Sequence, residues 1–527
     1  MTTLFPGALD DFTNPLGTDG LAAGGHAAMH GNVHDAIEAI ETVIGTSDGI
    51  DPTSLTARIS AVEAAGSSVY EWQTFTPDGI GWDYEVYPIA PAVTKIDGRR
   101  RRGSAGIAPE ALFDLFSTAR TSPTTTYYVG PTGIDTNTGL SPSAKLRTLN
   151  KAVLLGNATG APYKVYADAA LYPRSYTFSG TSSTQITQDA AFIAVGGQVV
   201  CTPCDQFATP SLDATHTNCY SIALANVERV LDLTTRSKIG SYKELINVAT
   251  AALCNVRPGT WASVSGTVYV NRADGLAVTY SNTRLLRTAM CMGINTEVSV
   301  FLGSEDGEGC WEFQGSDGVC SIRINVIAPS PNAQKAFVIN SASFCHAGGL
   351  VSTGGRCLEV STYPGIVALF DCSATGARTD LFNMKNNNGA VPPPALLTVN
   401  CVGVDTGEYP GTSCNAWTLH DDCIGMDIAG YYEGGAGGTI HNIETSRAAL
   451  VGTYVGMDRG DVVHGGSIYP TAIRAANTAA IDCYSVSVWQ PAGMAYHADN
   501  TSTIRLLGDC TWPARYAGDV SVVVPGP

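Results

Sequence analysis

Five cysteines in the second half of the chain follow a polar residue in similar settings: Phe370-Asp371-Cys372, Val399-Asn400-Cys401, Asp421-Asp422-Cys423, Ile481-Asp482-Cys483 and Gly508-Asp509-Cys510. The steps between them are 29, 22, 60 and 27 residues. The 60-residue gap holds two similar runs, Ile440-His441-Asn442-Ile443 and Gly460-Asp461-Val462-Val463, which divide it into steps of roughly twenty. A loose period in the twenties with β-type runs predicts a solenoid. Its coils stack, and small apolar residues line the interior as ladders. A β-sandwich, with turn signals every 8–12 residues, is the alternative.

Composition agrees with a turn-rich β protein. Gly is 57 of 527 residues, and charged residues are only 15%. Lys+Arg 30 against Asp+Glu 47 gives a net charge of −17, which argues against nucleic acid as a partner. Neither a signal peptide nor an uninterrupted apolar run long enough for a membrane span is seen, so no membrane insertion is expected. The fifteen cysteines are odd in number and begin only at Cys201, which suits free buried thiols made in a reducing cytosol. No cofactor is expected, because no phosphate loop or dinucleotide glycine motif stands in a strand–helix setting.

Ahead of the β region the texture differs. Residues 1–32 are broken by Pro and Gly. Val33, Ile37, Ile40 and Ile44 then follow heptad spacing, which resumes at Leu55, Ile59, Val62 and Val69. Segments this short need partners, and Ile-rich core positions favour a homotrimer; an amphipathic hairpin is the alternative. Residues 70–126 are a transition containing Arg99–Arg102, read as a solvated loop or a contact with an acidic neighbour. From Tyr127 onward the runs are β-type, except for a helical pattern over Leu146–Leu155.

Two stretches carry a resemblance. Phe5-Pro6-Gly7-Ala8-Leu9-Asp10, Phe12-Thr13-Asn14-Pro15 and the run from His30 through Asp35-Ala36-Ile37-Glu38-Ala39-Ile40-Glu41 resemble the N-terminal segment of phage tail and tail-spike proteins. Tyr127 to Pro142, followed by Leu146-Arg147-Thr148-Leu149-Asn150-Lys151-Ala152, resembles the opening of right-handed parallel β-helix (pectate-lyase-like) domains, where a first strand and a capping helix precede the coils. The order is similar to a trimeric phage tail spike or tail fibre. The resemblance implies a virion-attachment segment over 1–32, a coiled-coil neck over 33–69 and a linker over 70–126. A β-helix receptor-binding domain over 127–515 and a C-terminal tail over 516–527 would follow. It implies other phage tail or baseplate proteins as partners, host surface polysaccharide as ligand, and the virion as location. The fold hosts lyases, hydrolases and pure binders alike. Three readings stay open: glycan adhesin, glycan depolymerase and structural tail component.

The most polar stretch, residues 417–464, is where chemistry is expected. With a coil of about twenty residues, His420/Asp421, His441 and Asp461 would share one face. Cleaving a glycosidic bond takes two carboxylates, one protonated to assist the leaving oxygen and one to activate water or attack. Asp421, Asp422 and Glu444 are the candidates, against the reading that such acids cap turns. Trp417, His420, Tyr431, Tyr432, His441, Asp461 and Trp311 are the candidate glycan contacts. A second acidic group, Glu305, Asp306, Glu308 and Glu312 beside Trp311, reads more simply as an exposed turn. Cys201, Cys204, His216 and Cys219 have finger-like spacing for a metal, or for a disulfide. His26, His30 and His34 are a weaker metal alternative, near the axis of a trimer.

Overall fold

Asp371 and Asn400 both take a positive φ, 51° and 53°, and each ends a buried strand. A single left-handed residue turns the chain sharply, and Asn and Asp tolerate it best. The corner repeats at Ser341, Ala429, Gly452 and Ser485. The N–H of Asp371 donates to the carbonyl of Val399 at 2.9 Å, that of Asn400 to Ile428 at 2.9 Å, and that of Ala429 to Val451 at 2.8 Å. One column of corners is thus bonded coil to coil.

A computed structural model describes residues 82–95, 101–178, 185–236, 242–315, 320–345, 356–377, 379–404, 406, 414–435, 438–456, 471–489, 493–507, 510, 516–518 and 520–523. The chain divides into two compact units, residues 1–72 with 94–98, and residues 73–93 with 99–527. The described residues belong almost entirely to the second. The expected attachment segment, neck and trimer, and Asp461, fall outside them. No helix among the described residues is long and apolar enough to cross a membrane.

The second unit is a mainly β solenoid of parallel strands in three ladders. A long ladder runs from Thr125–Val129 through Gly365–Phe370, Ala395–Val399, Ile424–Ile428, Arg447–Val451 and Ala480–Tyr484 to Val520–Val523. A narrow ladder runs from Cys310–Gln314 to Ser487–Val488. A nine-stranded sheet runs from Met292–Ile294 to Tyr516–Ala517. Pairing of Ile366 with Ala395, Ala395 with Ile424, Ile424 with Arg447, Arg447 with Ala480 and Ala480 with Thr503 gives coils of 29, 29, 23, 33 and 23 residues. The predicted period is therefore real but uneven, because corner loops absorb the differences. Cys372 and Cys401 do stack on one another's coil positions. Cys423 and Cys483 sit elsewhere: Cys423 precedes a long-ladder strand, and Cys483 lies inside one.

Inside the bore, apolar side chains stack along the axis. Phe313 stacks on Phe344 of the next coil at 5.6 Å, and Trp311, on the strand of Phe313, lies 6.1 Å from it at 9°. The fourteen described cysteines of known burial are all free, and twelve of them are buried. Asp427 also points inward. Its carboxyl accepts from Thr398 Oγ1 (2.6 Å), Tyr432 Oη (2.7 Å), Thr453 Oγ1 (2.6 Å) and the Gly430 N–H (3.1 Å). Burial pushes its pKa up, and these hydrogen bonds pull part of the way back.

The predicted helix exists at Leu149–Ala158, shifted by three residues because Thr148 is its N-cap and accepts from the Lys151 N–H. The long ladder's outer face is apolar, with Phe301, Ala336, Val338, Ile366 and Ala368 fully buried. A strap covers it. Phe113, on the short helix Pro109–Asp114, lies 5.5 Å from the Phe301 ring, and Glu110 accepts from Asn340 Nδ2 at 3.0 Å. Further up the strap, the Gly103 N–H donates to Asn400 Oδ1 at 2.6 Å, and Arg101 donates to the Ser485 carbonyl and Ser487 Oγ. Of the arginine run, expected to be a solvated loop or a contact with an acidic neighbour, Arg102 is exposed and Arg101 fastens the strap.

Between the strands Ala190–Cys201 and Met292–Ile294 the solenoid carries an antiparallel lobe, which the sequence reading did not separate. Thr260–Val264, Thr267–Asn271 and Tyr220–Ala223 form one sheet, and Val227–Arg236 with Thr283–Arg287 another. Asp205 fastens the lobe to the coils through Arg174 (2.7 Å) and Arg287 (2.5 Å). The proposed metal ligands are not brought together. Cys201 lies in the bore, Cys204 in the lobe's larger core, and Cys219 beside Cys254 and Ala262. His216 bonds Asp213 at 3.0 Å. Among the described residues no group of three or more His, Cys, Asp or Glu could hold a metal.

Candidate functional site

The strands of the nine-stranded sheet share a short pattern with a polar residue at the centre. Ile322-Arg323-Ile324, Leu358-Glu359-Val360, Phe382-Asn383-Met384, Trp417-Thr418-Leu419, Ile440-His441-Asn442, Ile473-Arg474-Ala475 and Tyr496-His497-Ala498 pair in register. Strand side chains alternate between faces. The first residue of each triplet belongs to the bore. The central residues therefore form an outward column, Arg323, Glu359, Asn383, Thr418, His441, Arg474 and His497, of which Asn383, Thr418 and His441 are covered by their neighbours and buried.

Several charges on this face are paired. Arg356 lies 3.1 Å from Glu359 and 3.0 Å from Asp380. Asp499 takes Arg474 Nη2 at 2.6 Å and His497 Nε2 at 2.8 Å. His420 and His441 are held neutral. Burial first, then Lys385 and Arg356, lowers the His420 pKa to about 3. Burial, then Arg474, His420 and His497, takes His441 well below its ordinary value.

At the corner between this sheet and the long ladder, Asp421, Glu444, Asn477 and Asn500 all have positive φ, 56° to 65°. The following threonines brace the corner. Thr445, Thr478 and Thr501 donate hydroxyl hydrogens to the carbonyls of Asp421, Glu444 and Asn477 at 2.8, 2.9 and 3.0 Å. The candidate carboxylates join in. Asp421 Oδ2 accepts from the Asn386 N–H and Asp422 Oδ1 from Asn386 Nδ2, each at 2.8 Å. Glu444 Oε2 accepts from the Asp421 N–H and lies 4.0 Å from His420 Nδ1. All three acids therefore cap turns. Glu444 keeps 45% of its side chain exposed.

The structure thus gathers His420, Asp421, Asp422, Glu444 and His441 on one side of the solenoid. The expected equivalence of His420/Asp421 with His441 is corrected: the true coil here is 23 residues, so Glu444 matches Asp421 and Thr418 matches His441. Trp311, Trp417 and Tyr432 are fully buried in the bore and offer no face to a sugar. Tyr431 lies on the outer face of the narrow ladder, stacked on Tyr454. In the acidic turn, Asp306 accepts from Ser304 and the Gly309, Glu308 and Gly196 N–H groups, which hold its pKa below the usual range. Glu305 accepts from Lys164 and Tyr166, and Glu312 is buried against Gln198 and Gln314. Arg474, His497 and Asn383 were missed, although the apolar–polar–apolar triplet marks each of them.

No protein-family model matches the chain, and no curated protein sequence matches it. Among solved structures the chain is similar to XylC in complex with xylose, at TM-score 0.38 and 10% identity over 73% of this chain and 70% of that one. It is similar to a glycoside hydrolase, at TM-score 0.31 and 9% identity over 76% and 96%. It is also similar to the Gp54 tailspike of Acinetobacter baumannii bacteriophage AP22 in complex with capsular saccharide, at TM-score 0.24 and 12% identity over 72% and 73%.

Proposed function

We propose that this chain is a phage tail spike or fibre that binds host surface glycan through the outer face of its nine-stranded sheet. One observation carries the reading: the register-matched column from Arg323 to His497 is polar on each of its seven coils, buried at Asn383, Thr418 and His441 and reaching the surface at Arg323, Glu359, Arg474 and His497. Adjacent coils lie about 4.8 Å apart, comparable with the length of a sugar residue along a glycan. An extended polymer can then meet charged or imidazole groups toward both ends of the column, at Arg323 and Glu359 and at Arg474 and His497. The N-terminal attachment segment, the trimeric neck and assembly onto a tail belong to the same proposal and rest on the sequence resemblance.

Binding is preferred to cleavage because Asp421, Asp422 and Glu444 each hold a neighbour's N–H. The depolymerase reading is favoured by one feature, the half-exposed Glu444 carboxylate beside a neutral His420. A panel of purified bacterial capsular and O-antigen polysaccharides separates the readings. Intact chains retained by the protein, and lost with Arg474→Ala, support binding. Chains shortened by the protein but not by an Asp421→Ala, Asp422→Ala double variant support the depolymerase. Neither binding nor cleavage would leave the structural tail component.

A further inference from the structure

The outer face of the narrow ladder carries a second group of side chains that the proposed function does not use. Tyr431 and Tyr454 pair in register and stack with ring centroids 5.0 Å apart at 4°. Ser487 follows Tyr454 in the same column. Two residues along each strand is the next outward column. The Gly456 N–H donates to the Tyr432 carbonyl and the Trp489 N–H to the Val455 carbonyl, which sets Glu433, Gly456 and Trp489 on successive coils. Ser487 is small, so the two columns leave a shallow floor between Tyr454, Trp489 and the Glu433 carboxylate that covers Gly456.

The surrounding groups are placed for recognition. Trp489 is 41% exposed, unlike Trp82, Trp261, Trp311 and Trp417, which are buried. The Tyr431 hydroxyl donates to Glu433 Oε2 at 2.6 Å, which fixes the carboxylate. A Cβ at position 456 would stand 2.9 Å from that oxygen, so Gly456 leaves the space in which Glu433 lies. On the far side, Arg101 Nη2 donates to Ser487 Oγ at 2.8 Å. Aromatic faces, a fixed carboxylate and a planar guanidinium over a small-residue floor are complementary to a pyranose ring. Its C–H face packs on the aromatic surface, and its hydroxyls bond the charged groups.

We infer that Tyr454, Trp489, Glu433 and Arg101 form a separate subsite for a neutral hexose, on a different sheet from the polar column. The carboxylate and the net charge of −17 select against uronates and other acidic sugars. The subsite does not depend on the nine-stranded face binding glycan.

The test uses the full chain and soluble dextran, yeast mannan and galactomannan, with polygalacturonate as the acidic comparison. Affinity is read by tryptophan fluorescence and by retardation on immobilised polymer. At least one neutral polymer binds, polygalacturonate does not, and Trp489→Ala weakens binding by roughly tenfold or more. Trp489→Phe, which keeps an aromatic face, retains most of the binding, and Arg474→Ala leaves it unchanged. If no neutral polymer binds, or Trp489→Ala binds as well as the parent chain, the subsite is overturned. The capsular-polysaccharide result with Arg474→Ala is read separately, so either proposal can fail alone.

Discussion

The backbone N–H of Asp421 donates to the carboxylate of Glu444, which occupies the same corner one coil later, 23 residues on. Both residues are left-handed, with φ of 56° and 65°. A residue without a β-branch suits this corner. Asp421→Gly and Asp421→Val both remove the acceptor for the Asn386 N–H, but only Val adds left-handed strain. The Val variant is expected to be less stable than the Gly variant by about 1–2 kcal/mol. Urea unfolding of the two variants checks this; equal midpoints would show that the corner does not impose its conformation.

Asp427 sets a pH dependence from inside the bore. Its folded pKa is raised by burial, so the folded state favours the protonated acid. This contribution is complete below the unfolded value, about 4, and is lost as pH rises through the folded value. Asp427→Asn keeps an uncharged group of the same shape. Relative to that variant, the parent chain should lose thermal stability as pH rises above about 4. Parallel melting curves across pH test it, and a constant offset between the two would contradict it.

The histidines act in the opposite direction. His420, whose pKa falls to about 3, faces Lys385, Arg356 and Glu444, and burial dominates. Stability from the neutral ring is present above the unfolded value, about 6.5, and is lost as pH falls toward the folded one. His420→Asn should therefore flatten the acid limb of the stability profile. Imidazole NMR should find His420 unprotonated at pH 5; a titration near the ordinary histidine value would end this reading.

Gly103 is one tight point of the strap. A Cβ on Gly103 would lie 2.6 Å from Ile428 Cγ2 and 2.8 Å from Ala429 Cβ. Gly103→Ala should lift the strap from the Asn400 corner and cost about 1–3 kcal/mol. Limited proteolysis should then cut before Thr125 faster than in the parent chain. An unchanged cleavage rate would mean that Gly103 does not hold the strap.

The solenoid was legible because left-handed corners favour Asp and Asn, which put recognisable polar–Cys pairs at residues 371–372 and 400–401. The step misled at Cys423 and Cys483, since a cysteine fits any buried position and carries no corner signal. Side-chain direction was harder. Over residues 417–455 strands of two to five residues are separated by corners of varying length, so alternation cannot be carried from one strand to the next. That is why Trp417 and Tyr432, adjacent to polar residues in sequence, proved to face the bore, while His441 and Tyr431 face outward. The lobe between Cys201 and Met292 was hidden because its antiparallel strands have the composition of the coils around them. The strap was hidden because Arg101 meets its carbonyl and hydroxyl partners 384 and 386 residues away.

Hydrogen exchange of the full chain, with and without a polysaccharide it retains, tests glycan binding by the nine-stranded sheet most directly. Slowed exchange should centre on Ile440–Asn442, Thr471–Ala475 and Met494–Ala498, with the lobe over residues 205–290 unchanged. Protection confined to the lobe, or absent from all three strands, would contradict it.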